Sequence, residues 1–431
     1  MSALHAPILS PEDRLLLLCA RITLTPTQGR SLLQIIEGKL NWNRVLNRAV
    51  RQGIPTLVYY HLSGLDAWAA VPSQIWDTLE RAYQAARLLT MRQRFEFVRL
   101  LDALRVADVQ VIPLKGIALR GTVYPNLALR PSGDIDLLVR SIDIELTENV
   151  LRQLGYEPVE TDHPKNWYRP ENYHHLVPYV LPGRNVLVEI HWGLLPPDTN
   201  IRIGIEGIWQ RSRVCQIAGC LVRLFCPEDM IIHLGMHAIA WQQDVSSQSL
   251  PRLRHLVDIA ETARYYETQL DWNMIVDLAQ EWDVQQYLFL VLRVTQSLLE
   301  AKGLDQPLAT LQPLGFDDAL VADTQRRVLR LSRLELPEPV TDNLIHFLLA
   351  ESSGDKLRLL VRVIFPSRKR MGQLYHLNPE SWRIFPCYLL RPFQLLSRHA
   401  RILTYTCWQN LLHQRWKYSL NIKNASFRVK K

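Results

Sequence analysis

The chain has 431 residues, enough for about three domains, with 48% hydrophobic and 21% charged residues. That composition excludes a largely disordered, collagen-like or coiled-coil protein; no apolar run reaches the ~18 residues needed to span a bilayer, and the N-terminus lacks the basic and apolar regions of a signal peptide. The net charge of +8 is unevenly spread: residues 354–431 hold 16 Lys and Arg against Asp355 and Glu380, a net +14, while residues 1–353 hold 34 against 40. The six Cys form no CxxC pair. They are expected to be reduced thiols in a cytoplasmic protein without a transmembrane segment.

In chain order, residues 10–105 read as helical. Ser10-Pro11-Glu12-Asp13 supplies an N-cap, a proline at the first helical position and acids in the first turn. Residues 74–104 carry no Gly or Pro, and Ile75, Leu79, Ala82, Ala86, Leu89, Phe95, Phe97, Leu100, Leu101 and Leu104 recur near a 3.6-residue period. From Val109 the pattern turns β-rich and stops at Lys115-Gly116. A short helical stretch follows, broken at Tyr124-Pro125-Asn126. Residues 134–139, Asp-Ile-Asp-Leu-Leu-Val, read as a strand. Ser141 is expected to cap a helix with Ile142, Leu146, Val150 and Leu154 on one face, ended by Gly155. After a polar, aromatic loop, residues 185–192 read as a second strand, and 213–226 as a hairpin turning at Ala218-Gly219. Helices are expected over 229–240, 252–267, 272–281 and 284–302, with breaks at 246–251 and 302–315. The expected domains are a helical region at 1–105, a core at 106–226, a helical domain at 227–315 and a mainly helical basic region at 316–431.

The chemistry concentrates in two strands. Residues two apart on a strand face the same side, so Asp134 and Asp136 present two carboxylates together. Hard oxygen donors at the start of an otherwise buried strand suit Mg²⁺; the alternative is a polar strand end at the surface. Glu189 interrupts the aliphatic run Val186-Leu-Val-Glu-Ile-His-Trp192 and shares a face with His191. If the two strands are neighbours, three carboxylates converge as two-metal phosphoryl chemistry requires; otherwise Glu189 is a surface position beside His191. Arg130 could meet phosphate or pair with a nearby acid. His233 and His237 have the i, i+4 spacing of metal ligands without the glutamate of an HExxH motif, and helix–helix polar contacts account for them equally. The loop 157–185, with His163, Lys165, Trp167, Tyr168, Arg169, His174 and His175, suits a substrate wall or a solvated hairpin extension. The basic tail, with Arg368-Lys369-Arg370, Trp382, Trp408 and Trp416, could face nucleic acid, an anionic surface or only solvent.

The run LKGIALRGTVYPNLALRPSGDIDLLV, with VEIHW some fifty residues on and then HLGMHA and RLRHLVDIA, resembles the bacterial "uncharacterised nucleotidyltransferase" family of the DNA polymerase β-type nucleotidyltransferase superfamily. The resemblance implies an α+β fold, a small mixed β-sheet core flanked by N-terminal and C-terminal helical regions. It implies that Asp134, Asp136 and Glu189 are the catalytic and metal-binding acids for Mg²⁺ (or Mn²⁺). Lys115, Gly116, Arg130, Ser132 and His191 are expected to bind the NTP co-substrate, with Lys115-Gly116 standing where the superfamily has Gly-Ser. The implied activity transfers an NMP from an NTP to an unknown small-molecule, peptide or protein acceptor and releases pyrophosphate. A helical domain with His237, Arg254 or Asp258 at the cleft would close over the nucleotide. The altered turn keeps a second reading open: an inactive nucleotide-binding, or nucleic-acid- or protein-binding, module on the same fold.

Overall fold

The computed structural model describes residues 9–161, 168–184, 186–197, 201–239 and 251–330, and, nearer the C-terminus, 361, 364–365, 368–375, 377 and 381–394. The chain forms two units, Met1–Leu336 and Pro337–Lys431. In the second, Met371, Ile384 and Cys387 are buried together around the helix Arg368–Tyr375, whose Arg368 guanidinium stacks on Phe385. Trp382 is largely exposed. Trp408 and Trp416 lie outside the described residues.

The first unit opens with α1 (Pro11–Cys19), α2 (Pro26–Ile36), α3 (Trp42–Arg51), α4 (Pro55–Gly64) and the long α5 (Ser73–Val106). The expected start of α1 is realised: the Ser10 side chain accepts from Asp13 N, and the Asp13 side chain answers to the Ser10 backbone. On α5, Phe97, Leu100, Leu101 and Leu104 are buried as their spacing implies, but Phe95 is exposed. The inward face at that level is polar instead, with Thr90, Gln93 and Glu96 buried. Glu96 is satisfied by Arg99, the Tyr156 hydroxyl and Arg184, which removes the penalty of burying a carboxylate.

The core is a five-stranded mixed sheet in the order β1-β2-β5-β4-β3. Its strands are β1 (Ile112–Pro113), β2 (Asp134–Leu138), β3 (Glu157–Pro158), β4 (Tyr179–Leu181) and β5 (Val186–His191). β2 pairs parallel with β5, and the other pairings are antiparallel. The protein is therefore α+β, a small mixed sheet with flanking helices. The segment read as an aromatic loop contributes the β3–β4 pair. Between β1 and β2 lies α6 (Lys115–Gly121), packed so closely that a Cβ on Gly121 would fall 2.5 Å from Ile217.

After β2 the expected helix is displaced. Ser141–Asp143 is a 3₁₀ turn, α7 (Ile144–Gln153) starts later, and Ile142 is exposed. The buried face runs through Ile144, Thr147, Val150 and Leu151. Four-residue steps advance 400° around a helix, so the row from Ile142 drifts off the sheet while the mixed i+3/i+4 row stays on it. Gly155 ends the helix at φ +82, with Tyr156 N donating to Leu151 O and Gly155 N to Arg152 O.

Beyond α8 (Ile205–Arg211), strands β6 (Arg213–Ile217) and β7 (Cys220–Leu224) form the expected hairpin, with Ala218 and Gly219 both at positive φ. Four helices follow as read: α9 (Pro227–Ile239), α10 (Leu253–Tyr265), α11 (Trp272–Glu281) and α12 (Gln285–Leu299). The expected break at 302–315 contains α13 (Asp305–Leu311), which buries Leu308 and Leu311 three apart, and α14 (Asp318–Arg330) follows. The expected break at 246–251 lies almost wholly outside the described residues. The N-terminal helices are tied to α10, because Gln52 Oε1 accepts from Leu253 N (2.7 Å) and Gln52 O from Arg254 N (3.1 Å).

Candidate active site

The parallel register sets Asp134 opposite Leu187 and Asp136 opposite Glu189. Alternation buries Ile135 and Leu137 on one face and turns both aspartates to the other. One carboxylate oxygen each of Asp136 and Glu189 and a ring nitrogen of His191 lie within 4.8 Å of one another. His191 Nε2 donates to Asp136 Oδ1 (3.0 Å) and lies 3.6 Å from Glu189 Oε2. Lys115 Nζ donates to the same Asp136 oxygen at 3.1 Å. Lys115 holds a left-handed backbone, φ 47, at the first residue of α6. Such a conformation in a residue with a side chain costs about 1 kcal/mol or more and persists where the surroundings enforce it.

The charges are unequal. Burial would raise the Asp136 carboxyl, but Lys115 and His191 outweigh it and hold it well below the usual range. Asp134 is pushed up to about 6, first by the charge of Asp136 and then by burial. Burial opposes ionisation of Glu189 too, and the neighbouring His191 overcomes it, leaving the carboxyl lowered. Asp136 and Glu189 thus meet at His191, with Lys115 on Asp136, while Asp134 stands outside that cluster but within reach of the charge of both acids. The donor set fits a divalent cation: carboxylate oxygens suit Mg²⁺ and Mn²⁺, and an imidazole is acceptable to Mn²⁺ and later metals.

The turn before β2 is built by groups the sequence did not single out. Arg120 NH1 donates to Ser132 Oγ (2.9 Å) and Arg130 O (3.1 Å), and its NH2 to Gln93 Oε1 (2.9 Å). Gln93 Nε2 donates to Ser132 O (3.1 Å), and Ser132 Oγ to Asp134 O (3.0 Å). Gly116 lies against this turn; a Cβ there would be 2.8 Å from Ser132 Cβ. Lys115, Gly116 and Ser132, seventeen residues apart along the chain at most, are thus brought to the head of the acidic strand. The signal for Gln93 was available: a polar residue three after Thr90 and three before Glu96 on an otherwise apolar helix face.

Arg130 takes the second of its two readings. It is buried, and its Nε donates to both Asp258 oxygens (2.7 and 2.8 Å), of which Oδ1 also accepts from the Tyr124 hydroxyl (2.8 Å). The ion pair binds α10 to the sheet and occupies Asp258. His174 and His175 flank His191, with ring centroids 5.7 and 4.9 Å away; burial, with the charge of His191, depresses His175 to about 4. His163, Lys165 and Trp167 lie outside the described residues. His233 and His237 stack at 6.4 Å, and His237 meets His255 at 5.2 Å. Among the described residues, the cluster able to hold a metal is Asp136, Glu189 and His191, not this pair.

Residues 38–300 match the family model described as "Uncharacterised nucleotidyltransferase", and the chain belongs to that family. A solved structure of the antibiotic-resistance factor ANT(2'')-Ia, described as revealing substrate-regulated conformation dynamics, is similar at 14% identity over 44% of this chain and 91% of that one, with a TM-score of 0.30. Among curated proteins, none matches the chain. No helix of the described residues is long and apolar enough to cross a membrane.

Proposed function

We propose that the protein is a divalent-metal-dependent nucleotidyltransferase that moves an NMP from an NTP to an acceptor hydroxyl or similar group and releases pyrophosphate. The observation that carries this reading is Asp136 and Glu189 facing each other in parallel register, with His191 beside them and Asp134 two residues before Asp136 on the same strand face, in a chain of a nucleotidyltransferase family. Asp134, Asp136 and Glu189 would hold Mg²⁺ or Mn²⁺, with His191 as a nitrogen donor or as the group that orients Asp136. Bound there, the cations supply charge neutralisation for the triphosphate and acidify the acceptor.

The chain's own groups do the rest. Lys115 keeps a positive charge at the acids and faces the phosphates as they gather negative charge. The Glu189 side chain, 22% exposed against 2% for Asp136, is the acid best placed to receive the acceptor proton. The acceptor oxygen then attacks the α-phosphorus in line, the bond from that phosphorus to the bridging oxygen breaks, and pyrophosphate leaves. Catalysis rests on positioning rather than on a covalent enzyme intermediate.

The test is incubation of the full chain with α-³²P-labelled NTPs, Mg²⁺ or Mn²⁺ and cell extract, comparing wild type with Asp136→Asn and Asp134→Ala. The expected result is label transferred to an acceptor by wild type and lost by at least a hundredfold in the variants, the scale of removing an essential charged group. Tight NTP binding with no transfer in any extract would instead establish a binding module.

A further inference from the structure

One turn before Asp258 on α10 lies a guanidinium without a direct ion pair among the described residues. Arg254 lies in the first turn of α10. Among the described residues it makes no side-chain hydrogen bond or ion pair, and its Nε is sealed from solvent without a partner. Its stem runs close over Gly53: a Cβ at position 53 would be 3.2 Å from Arg254 Cδ, and Gly53 sits at φ +72. The backbone is pinned to Gln52 at both Leu253 and Arg254. Asp258, one turn further along the same face of α10, is the acid that would normally neutralise it, and Asp258 is already taken by Arg130 and Tyr124. The next acid whose charge reaches Arg254 is Asp134. Arg130 marks the continuity of the region, since its NH1 lies 3.6 Å from where a Gly116 Cβ would be.

A partly buried guanidinium costs solvation free energy that a protein normally recovers with a carboxylate. Among the described residues no carboxylate takes up that role by direct contact: Arg254 Nε is buried without a partner, while the residue as a whole is only partly covered. We propose that Arg254 is a positioning residue for the polyphosphate end of the nucleotide, binding non-bridging phosphate oxygens of the group that leaves as pyrophosphate. Arginine suits this role because its planar fork matches two phosphate oxygens at once. The assignment rests on the nucleotidyl-transfer reading and moves the phosphate contact from Arg130, whose Nε is held by Asp258 and whose NH1 donates to Pro131 O, to Arg254.

The experiment is calorimetric titration of the full-length protein with inorganic tripolyphosphate in Mg²⁺, for wild type, Arg254→Met and Arg254→Lys. Methionine keeps an apolar stem against Gly53 and removes the charge. The expected result is binding weakened at least about tenfold in Arg254→Met, as for a lost charge-assisted contact, with most of the affinity restored in Arg254→Lys. Equal weakening in both variants would indicate a packing role and overturn the proposal, as would unchanged binding in Arg254→Met with wild type binding normally; both leave the nucleotidyl-transfer reading intact. If wild type binds neither tripolyphosphate nor any NTP, both readings fall. A footprint on wild type avoids dependence on variant folding. Tripolyphosphate is expected to protect Arg254 from phenylglyoxal, read by mass spectrometry, and equal modification with and without it would contradict the assignment.

Discussion

Arg130 and Arg254 show how much a residue's role depends on which acid reaches it first. Both are arginines near the acidic strand, and the sequence motif places Arg130 nearer, four residues before Asp134. Contact across 128 residues decides otherwise, because Asp258 receives Arg130 through both oxygens. Arg130→Gln would leave Asp258 buried without its main counter-charge. The expected cost is about 3–5 kcal/mol of folding stability, measured by chemical denaturation; a midpoint within error of wild type would show that the pair contributes little. The acids themselves were legible in the sequence, because a carboxylate inside an aliphatic strand has few purely structural explanations. Of the two residues that hold Ser132, Gln93 carried a signal in its spacing with Thr90 and Glu96 on α5, whereas Arg120 did not, since it sits in no pattern with the turn it serves.

Elements whose ends are written in local chemistry were read well. The capping box of α1, the glycine ending α7 and the hairpin turn at Ala218-Gly219 all follow from a few adjacent residues. Register against a partner was read less well, because it depends on what the element packs against. The α7 face was misassigned by following a strict four-residue row, and the exposed Phe95 of α5 by counting every apolar residue as inward. The neighbourhood of β2 and β5 was inferred only by assuming that the acids belong together; in the sheet, the parallel pairing supplies it. The β3–β4 pair was hidden because two- and three-residue strands carry too little alternation to recognise.

At the scale of the whole molecule, neutral imidazoles sit in the protein interior on several helices. Burial lowers His61 and His255 below their ordinary value, and pushes His233 down to about 3. The unfolded chain protonates these groups near 6.5, so below that pH it binds more protons than the folded state, and stability falls as pH drops from 6.5 toward 3. Asp134 and His191, both raised, act in the opposite sense, but His175 and His237 join the first group. Thermal melts in EDTA are therefore expected to show a falling Tm between pH 7.5 and 5; a flat or rising Tm would contradict the buried-neutral assignment.

The acidic cluster is tested most directly by whether it takes up a divalent ion at all. Titration of the full chain with Mn²⁺, following loss of the free-ion electron paramagnetic resonance signal, compares wild type with Asp136→Asn, which keeps the size of the side chain and removes its charge. Uptake by wild type and its loss in Asp136→Asn is the expected outcome. Equal uptake by the two proteins, or none by wild type, would contradict a metal pocket at the junction of β2 and β5.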